Sequence, residues 1–502
     1  LDYYLALAEQ AEMALTGAEQ IRWLDQLDQE LDNLRTALRY ALQHGAIERG
    51  ARLCAALRRF WGMRGHVSEG RQWLSDLLTQ AHAIAPLIRA KTLSAAGTLA
   101  EAQSDYAQAV PLQQEALALR QAHGDKTGVA VSLNNLGFLA ERQGDYRTAH
   151  SLYEETLVLS REISYKLYSA ISLINLGRLH HALGEYAATR IYAEESLARN
   201  RALDNQWGIA LSLDLFGHLL RAAGDYPTAR KYYEEALAIR RGFGGKWGIA
   251  TSLRNLGEIH QRQGEYAAAR TCYEESLALQ KEISDQSGIA GALNSLGRLH
   301  HDLGDSVATQ SLLQQSLAIY QSIGETAGIA ATRNDLGWVS QSLGDLAAAQ
   351  VLHEESLSML RALGKKLDSA AALHYLAILA HTQGNLPLAH TCHRESLLLF
   401  RALDEPYWCQ QSFVAIAFLF LQENKLVATG QLLGAAEALR QAIGVVIPPR
   451  ESTTYEQAVV AVQTKLGEDA FATAWAVGRA MPLEQAVAWA LSELEILFRR
   501  DD

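Results

Sequence analysis

Residues 132–163 read SLNNLGFLAERQGDYRTAHSLYEETLVLSREI. The arrangement returns in register as SLINLGRLHHALGEYAATRIYAEESLA at 172–198, SLRNLGEIHQRQGEYAAARTCYEESLALQKEI at 252–283 and ALNSLGRLHHDLGDSVATQSLLQQSLAIYQSI at 292–323. The period is 40 residues. Eight units fall between about 87 and 404, and a ninth, with Ala417 and Asn424 at the two recurrent glycine positions, follows at about 405–443. Within a unit, Val129, Leu133, Leu136 and Ala140 are spaced i, i+4, i+7, i+11, and Tyr146, Ala149, Tyr153 and Thr156 are spaced i, i+3, i+7, i+10. That is the apolar stripe of two successive helices, so each unit is a helical hairpin. Gly144 and its equivalents are expected to end the first helix as left-handed caps, with the Asp, Glu or Asn that follows most of them starting the second. Gly137 and its equivalents lie inside the first helix, where glycine costs roughly 1 kcal/mol relative to alanine. A small residue there lets aromatics such as Tyr153 and Tyr233 of the second helix approach closely.

Composition agrees with one long helical array. Only 8 of 502 residues are proline and 49% are hydrophobic, which permits long helices and disfavours disorder. A formal charge of −11, from 45 Lys and Arg against 56 Asp and Glu, argues against a surface built for polyanions, so no direct nucleic-acid contact is expected. Cys54, Cys272, Cys392 and Cys409 form no C-x-x-C pair, which points to buried thiols in a reducing, cytoplasmic setting. The longest apolar run, Phe413–Leu421, is nine residues, too short to cross a bilayer. The chain starts at Leu1 rather than Met, which suggests a fragment of a longer protein.

Leu133, Leu136, Gly137, Ala140, Tyr146, Ala149 and Tyr153 stand where the tetratricopeptide repeat places its large, small and aromatic residues, so the array resembles that family. The 40-residue variant is similar to the repeats of kinesin light chain and of the Leu-Gly-Asn repeat adaptors. The resemblance implies an all-α, right-handed superhelical solenoid of about nine tetratricopeptide hairpins at 87–443, with helical caps at 1–86 and 444–502. Residues 1–86 read as four or five helices, one of them Glu19–Gln43, containing IRWLDQLDQELDNLRTALRYAL and LRRFWGMRGHVSEGRQWLSDLL. These stretches, and GQLLGAAEALRQAIGVVIPPRESTTYEQAVVAVQTKLGEDAFATAWAVGRAMPLEQAVAWAL at the other end, resemble flanks of the tetratricopeptide sensors in STAND-type signalling ATPases related to the bacterial maltose regulator. The all-round apolar FVAIAFLFL must be covered, and helices near 455–466, 468–478 and 482–497, set apart by Pro448 and Pro449, are the candidates.

No enzymatic chemistry is legible. GFGGKW at 242–247 lacks the first glycine and the Ser or Thr of a phosphate-binding loop, and reads as an inter-repeat turn. The Glu-Glu pairs, such as Glu154/Glu155, point about 100° apart on a helix and read as a solvated face. Histidines of the ladder lie in different repeats, too far apart to share one zinc, since packed helices are ~8–10 Å apart. Neither a catalytic residue, a metal ligand nor a cofactor is expected.

By the resemblance, first helices line a concave face, and positions three and two before the inner glycine, one after it and four after it point inward. There the chain stops repeating itself. The first row includes Asn134, Asp214, Arg254, Asn294, Asn334 and His374; the row after the glycine includes Phe138, Arg178, His218, Glu258, Arg298 and Trp338; the outer row includes His181, Arg221 and His301. Asn135, Asn175 and Asn255 are similar to the asparagines that hold peptide backbone in related adaptors. Arg178, Arg254 and Arg298 suit bidentate contacts to carboxylate or phosphate, and Trp338 and Phe138 suit stacking. Any one of these residues also reads as an ordinary solvated or satisfied groove residue. The expectation is a binding module that captures a peptide, protein or small-molecule inducer in its groove and signals to a nucleotide-binding domain elsewhere in the polypeptide. The alternative is a free-standing peptide-binding scaffold of the Leu-Gly-Asn repeat type.

Overall fold

The computed structural model describes residues 1–15 and 19–498; residues 16–18 and 499–502, parts of the two expected caps, lie outside the described residues. Among the described residues it contains 26 α-helices and no strand. Nine hairpins, each of two near-equal helices, run from Pro86–Ala102 and Tyr106–Ala122 to Pro406–Gln422 and Leu426–Ile443. The turn inside each unit is built as its residues demand. Gly144 sits at φ +84°, and Asp145 caps the next helix by accepting from the backbone N–H of Thr148. Glu185 and Glu265 do not cap; their carboxylates pair with His180 and His260 instead. The inner glycines give room to the second helix: a Cβ at Gly217 would lie 2.4 Å from the ring of Tyr233, which is fully buried.

The hairpins wind into a tight superhelix whose successive turns touch. Tyr106 donates to Glu325 at 3.5 Å and Tyr186 donates to Glu405, each pair 219 residues apart, so one superhelical turn takes about five and a half units. Ser104 accepts from the backbone N–H of Ser287, and Leu363 and Leu403 press on Gly144 and Gly184. A Cβ on either glycine would lie 2.6 Å from the facing leucine. Gly304, Gly344 and Gly384 have nothing within 4 Å, because the array ends before another turn reaches them. The same glycine therefore serves two needs early in the chain and one late in it.

Burial between turns pushes the Glu405 carboxyl up to about 7, with Arg221 opposing. The folded chain thus holds that proton after the unfolded chain, at an ordinary 4.5, has lost it. Stability from this group falls as pH rises from about 4.5 to 7 and is level above. Glu405→Gln, which cannot ionise, is expected to gain melting temperature on the wild type across that window and no further beyond it. A gap independent of pH would exclude the buried proton.

Both ends depart from the sequence reading in detail. Glu19–Gln43 is not one helix: Gln20–Gln29 and Leu31–Gln43 meet at Glu30, where the bend lets Leu24, Leu27, Leu34 and Leu38 all reach one core with Phe60 and Trp61. The first C-terminal helix starts earlier than expected, as Pro449–Leu466, because Pro449 fits a first helical turn rather than merely ending a linker. The apolar helix Pro406–Gln422 is covered by Leu483–Phe498, through Val487, Ala490 and Leu494, and by Tyr455. Helix Glu468–Ala480 packs on Leu426–Ile443, with Gly478 against the backbone of Gln431 and Gly434 against that of Trp475.

Candidate functional site

Superhelical closure makes the concave face a channel, and the C-terminal segment enters it. Pro448, Arg450, Glu451, Thr454 and Tyr455 form part of the wall of a cavity of about 620 Å³ that the first helices of the later units complete. Arg450, in the first turn of Pro449–Leu466, donates to Nδ1 of His301 at 2.7 Å and to Ser342 Oγ at 2.6 Å, with its guanidinium 5.5 Å from the Trp338 ring. His301 is 1% exposed; burial, with Arg450 and Arg298 beside it, pushes its pKa down to about 2, so the imidazole is neutral and free to accept.

Seven of the residues read from the sequence meet in this cavity: Arg254, Asn255, Glu258, Asn294, Arg298, Trp338 and His374. Burial pushes Glu258 up, but Arg221 and Arg262 outweigh it and hold the carboxyl well below the usual range. Arg221 lies 3.1 Å and Arg262 2.9 Å from its Oε1. Asn294 donates to Asp335 at 2.9 Å. Burial lowers His374 to about 4, so it is a neutral wall residue packed against Tyr375 and Trp408.

The remaining candidates are held by the protein's own groups. Asn175 donates to Asn134 at 2.9 Å, and Asn135 to Ser94 at 3.3 Å. Arg178 makes a two-point contact with Glu141, at 3.0 and 2.8 Å, and covers Phe138, so its bidentate capacity is already used. Asp214 is the buried counter-ion of Arg240. His218 shares a 2.7 Å hydrogen bond with Tyr233 and packs against His181, Arg221 pairs with Glu258, and Asn334 bonds His353. Phe138, His181 and Arg178 thus belong to the early units, away from the cavity.

Sequence reasoning missed Tyr375, Tyr407, Trp408 and Arg450. Tyr375 was within reach: the row two before the inner glycine, completed, reads Asn135, Asn175, Leu215, Asn255, Ser295, Asp335, Tyr375. Arg450 carried no signal, because only closure of the superhelix brings it beside His301, 149 residues away.

The tetratricopeptide-repeat family models match residues 88–162, 169–203, 208–282 and 288–362, more than half of the chain. The chain belongs to the tetratricopeptide-repeat family. The chain is 27% identical over 140 residues to proteins of Mycobacterium tuberculosis and Mycobacterium bovis provisionally described as HTH-type transcriptional regulators. The match takes in 26% of the chain, which spans only 16% of the length of those relatives. Among solved structures, the array resembles a Rap protein complexed with Competence and Sporulation Factor, with a TM-score of 0.53 and 14% identity over 72% of this chain and 99% of that one. That likeness is one of fold. Among the described residues, no helix is long and apolar enough to cross a membrane.

Proposed function

We propose that this tetratricopeptide array is the sensing part of a STAND-type signal-transduction regulator, binding a peptide or small-molecule inducer inside its channel. The observation that carries the reading is the cavity itself, whose wall joins inward side chains of successive units to a segment of the C-terminal cap. An occupant touching both would bias how the cap sits on the channel. It shifts that balance only by its differential affinity for the two arrangements. The similarity to mycobacterial proteins provisionally described as transcriptional regulators supports a regulatory parent, and a Rap protein of like fold has been solved with Competence and Sporulation Factor bound. The nucleotide-binding domain that would receive the signal belongs, in this reading, to the rest of the polypeptide, in the cytoplasm. In this reading the array is a binding module rather than an enzyme: Ser342, whose Oγ lies 3.2 Å from Nε2 of His301, donates its hydroxyl to the Trp338 carbonyl at 2.9 Å and accepts from Arg450, so its proton is not directed at the imidazole.

A thermal-shift screen of peptides and metabolites tests this. A ligand that raises the melting temperature of the wild type is expected to lose most of that rise with Trp338→Ala, which removes a wall ring. Ligand shifts that Trp338→Ala and Arg298→Ala both retain in full would place the binding site elsewhere.

A further inference from the structure

Five arginines line the cavity: Arg254, Arg262, Arg298, Arg440 and Arg450. Three are engaged. Arg262 is held by Glu258 and lies 3.8 Å from the Tyr407 ring centroid, Arg440 is held by Glu437, and Arg450 by His301 and Ser342. Among the described residues, Arg254 and Arg298 donate no hydrogen bond and join no ion pair. Of the carboxylates near them, Glu258 is already shared by Arg221 and Arg262, Asp302 accepts from Gln261, and Asp335, which faces Arg298, accepts from Asn294.

Space has been cleared for one of them. Arg254 reaches across to the first helix of the next unit, where a Cβ on Gly291 would lie 2.2 Å from its Nη1. The equivalent positions carry Val131, Ile171, Leu211, Thr251, Ala331 and Ala371, so this helix-interior glycine, unfavourable for the helix, belongs to this unit alone. Beside Arg254, the buried Nδ2 of Asn255 has no hydrogen-bond partner. A buried donor left unmade is costly, and an acceptor arriving in the cavity would satisfy it. The same cavity has an aromatic wall, with Trp338 and Tyr375 stacked 5.4 Å apart and Trp408 edge-on to Tyr375. The volume of about 620 Å³ lies within the range of pockets for compact molecules, and the C-terminal segment supplies part of its wall.

Resting on the reading of this cavity as the ligand site, we propose that its occupant is a compact aromatic anion. A carboxylate or phosphate sits against Arg254, Arg298 and Asn255, and a ring sits against Trp338, Tyr375 and Trp408. Guanidinium groups match either oxyanion by two-point contacts, so the two sources share one chemistry.

Isothermal titration of the full chain with 2-naphthoate, 2-naphthyl phosphate, 2-naphthamide and inorganic phosphate separates these terms. The naphthoate or the naphthyl phosphate is expected to bind at least about tenfold more tightly than the neutral amide, and inorganic phosphate more weakly than either. Arg254→Gln should lower the ratio of anion to amide several-fold, Arg298 and Asn255 remaining, with little change in the ligand-free melting temperature, since among the described residues Arg254 has no hydrogen bond or ion pair to lose. Arg361→Gln, an exposed ion-pair residue remote from the cavity, should keep the ratio. Equal binding of amide and anions, or an unchanged ratio in Arg254→Gln, overturns the anion site but leaves the cavity as a ligand site. Inorganic phosphate binding as tightly as the naphthyl ester overturns the aromatic half. No binding by any of the four overturns the proposal, while the function proposed above then stands or falls on the wider ligand screen with Trp338→Ala.

Discussion

Asp214→Ala should destabilise the middle of the array by about 3–5 kcal/mol, the cost of leaving a buried charge without its partner. Arg240 is 1% exposed, and its two terminal nitrogens donate to Asp214 and to Ser252. Removing the carboxylate leaves a guanidinium that can neither reach water nor lose its proton. Repeat arrays open locally, so the loss belongs to the hairpins flanking the pair: Gln206–Ala222 with Tyr226–Phe243, and Lys246–Arg262. Hydrogen exchange across 206–262, together with the urea midpoint, reads it. The double variant Asp214→Leu/Arg240→Met should recover most of the loss, because well-packed apolar replacements of buried ion pairs are often neutral. A single variant within about 1 kcal/mol of wild type would show that the pair is not sealed from solvent.

Gly478→Ala should release the C-terminal cap. A Cβ there would lie 1.9 Å from the backbone oxygen of Gln431, and one at Gly434 would lie 2.3 Å from that of Trp475. Backbone cannot rotate aside as a side chain can, so helix Glu468–Ala480 must lift from Leu426–Ile443. Overpacking of this kind costs about 1–3 kcal/mol, occasionally more. Hydrogen exchange should rise over 445–498 while residues 126–282 keep their protection, and Arg450 should lose its seat on His301. Gly384→Ala is the contrast. It has nothing within 4 Å, so only its φ of +75° is strained, at about 1–2 kcal/mol and without loosening the cap. Unchanged exchange over 445–498 in Gly478→Ala would mean that the two helices are not locked at this crossing.

How far the functional residues were legible depends on the reach of their contacts. Gly137 meets Tyr153 within one hairpin, and Tyr153 packs on only as far as Leu173, Leu176 and Leu179 of the next, so their spacing alone reports them. Trp338 and Arg298 could be placed on the inward face by register. Register does not say whose partner a charged side chain will be: Arg178 and Arg298 occupy equivalent positions, yet Glu141 holds the first and no described residue hydrogen-bonds the second. The difference comes from what stands in the preceding unit's outer row, Glu141 in one case and Gln261 in the other. Gln261 is taken up by Asp302 and by the Tyr273 hydroxyl.

The sequence by itself determined the repeat, its two helices and the glycine turn between them, because each follows from residues at most a few tens of positions apart and recurs at a 40-residue period. Only the tertiary structure decided that the array closes after about five and a half units, since closure sums a small rotation per hairpin that no single unit encodes. Closure turned the groove into a cavity, set Glu405 against Tyr186, and carried Arg450 to His301 and Trp338. It also left Arg254 and Arg298 facing the cavity without a hydrogen-bonded partner among the described residues, which no pattern along the chain could reveal.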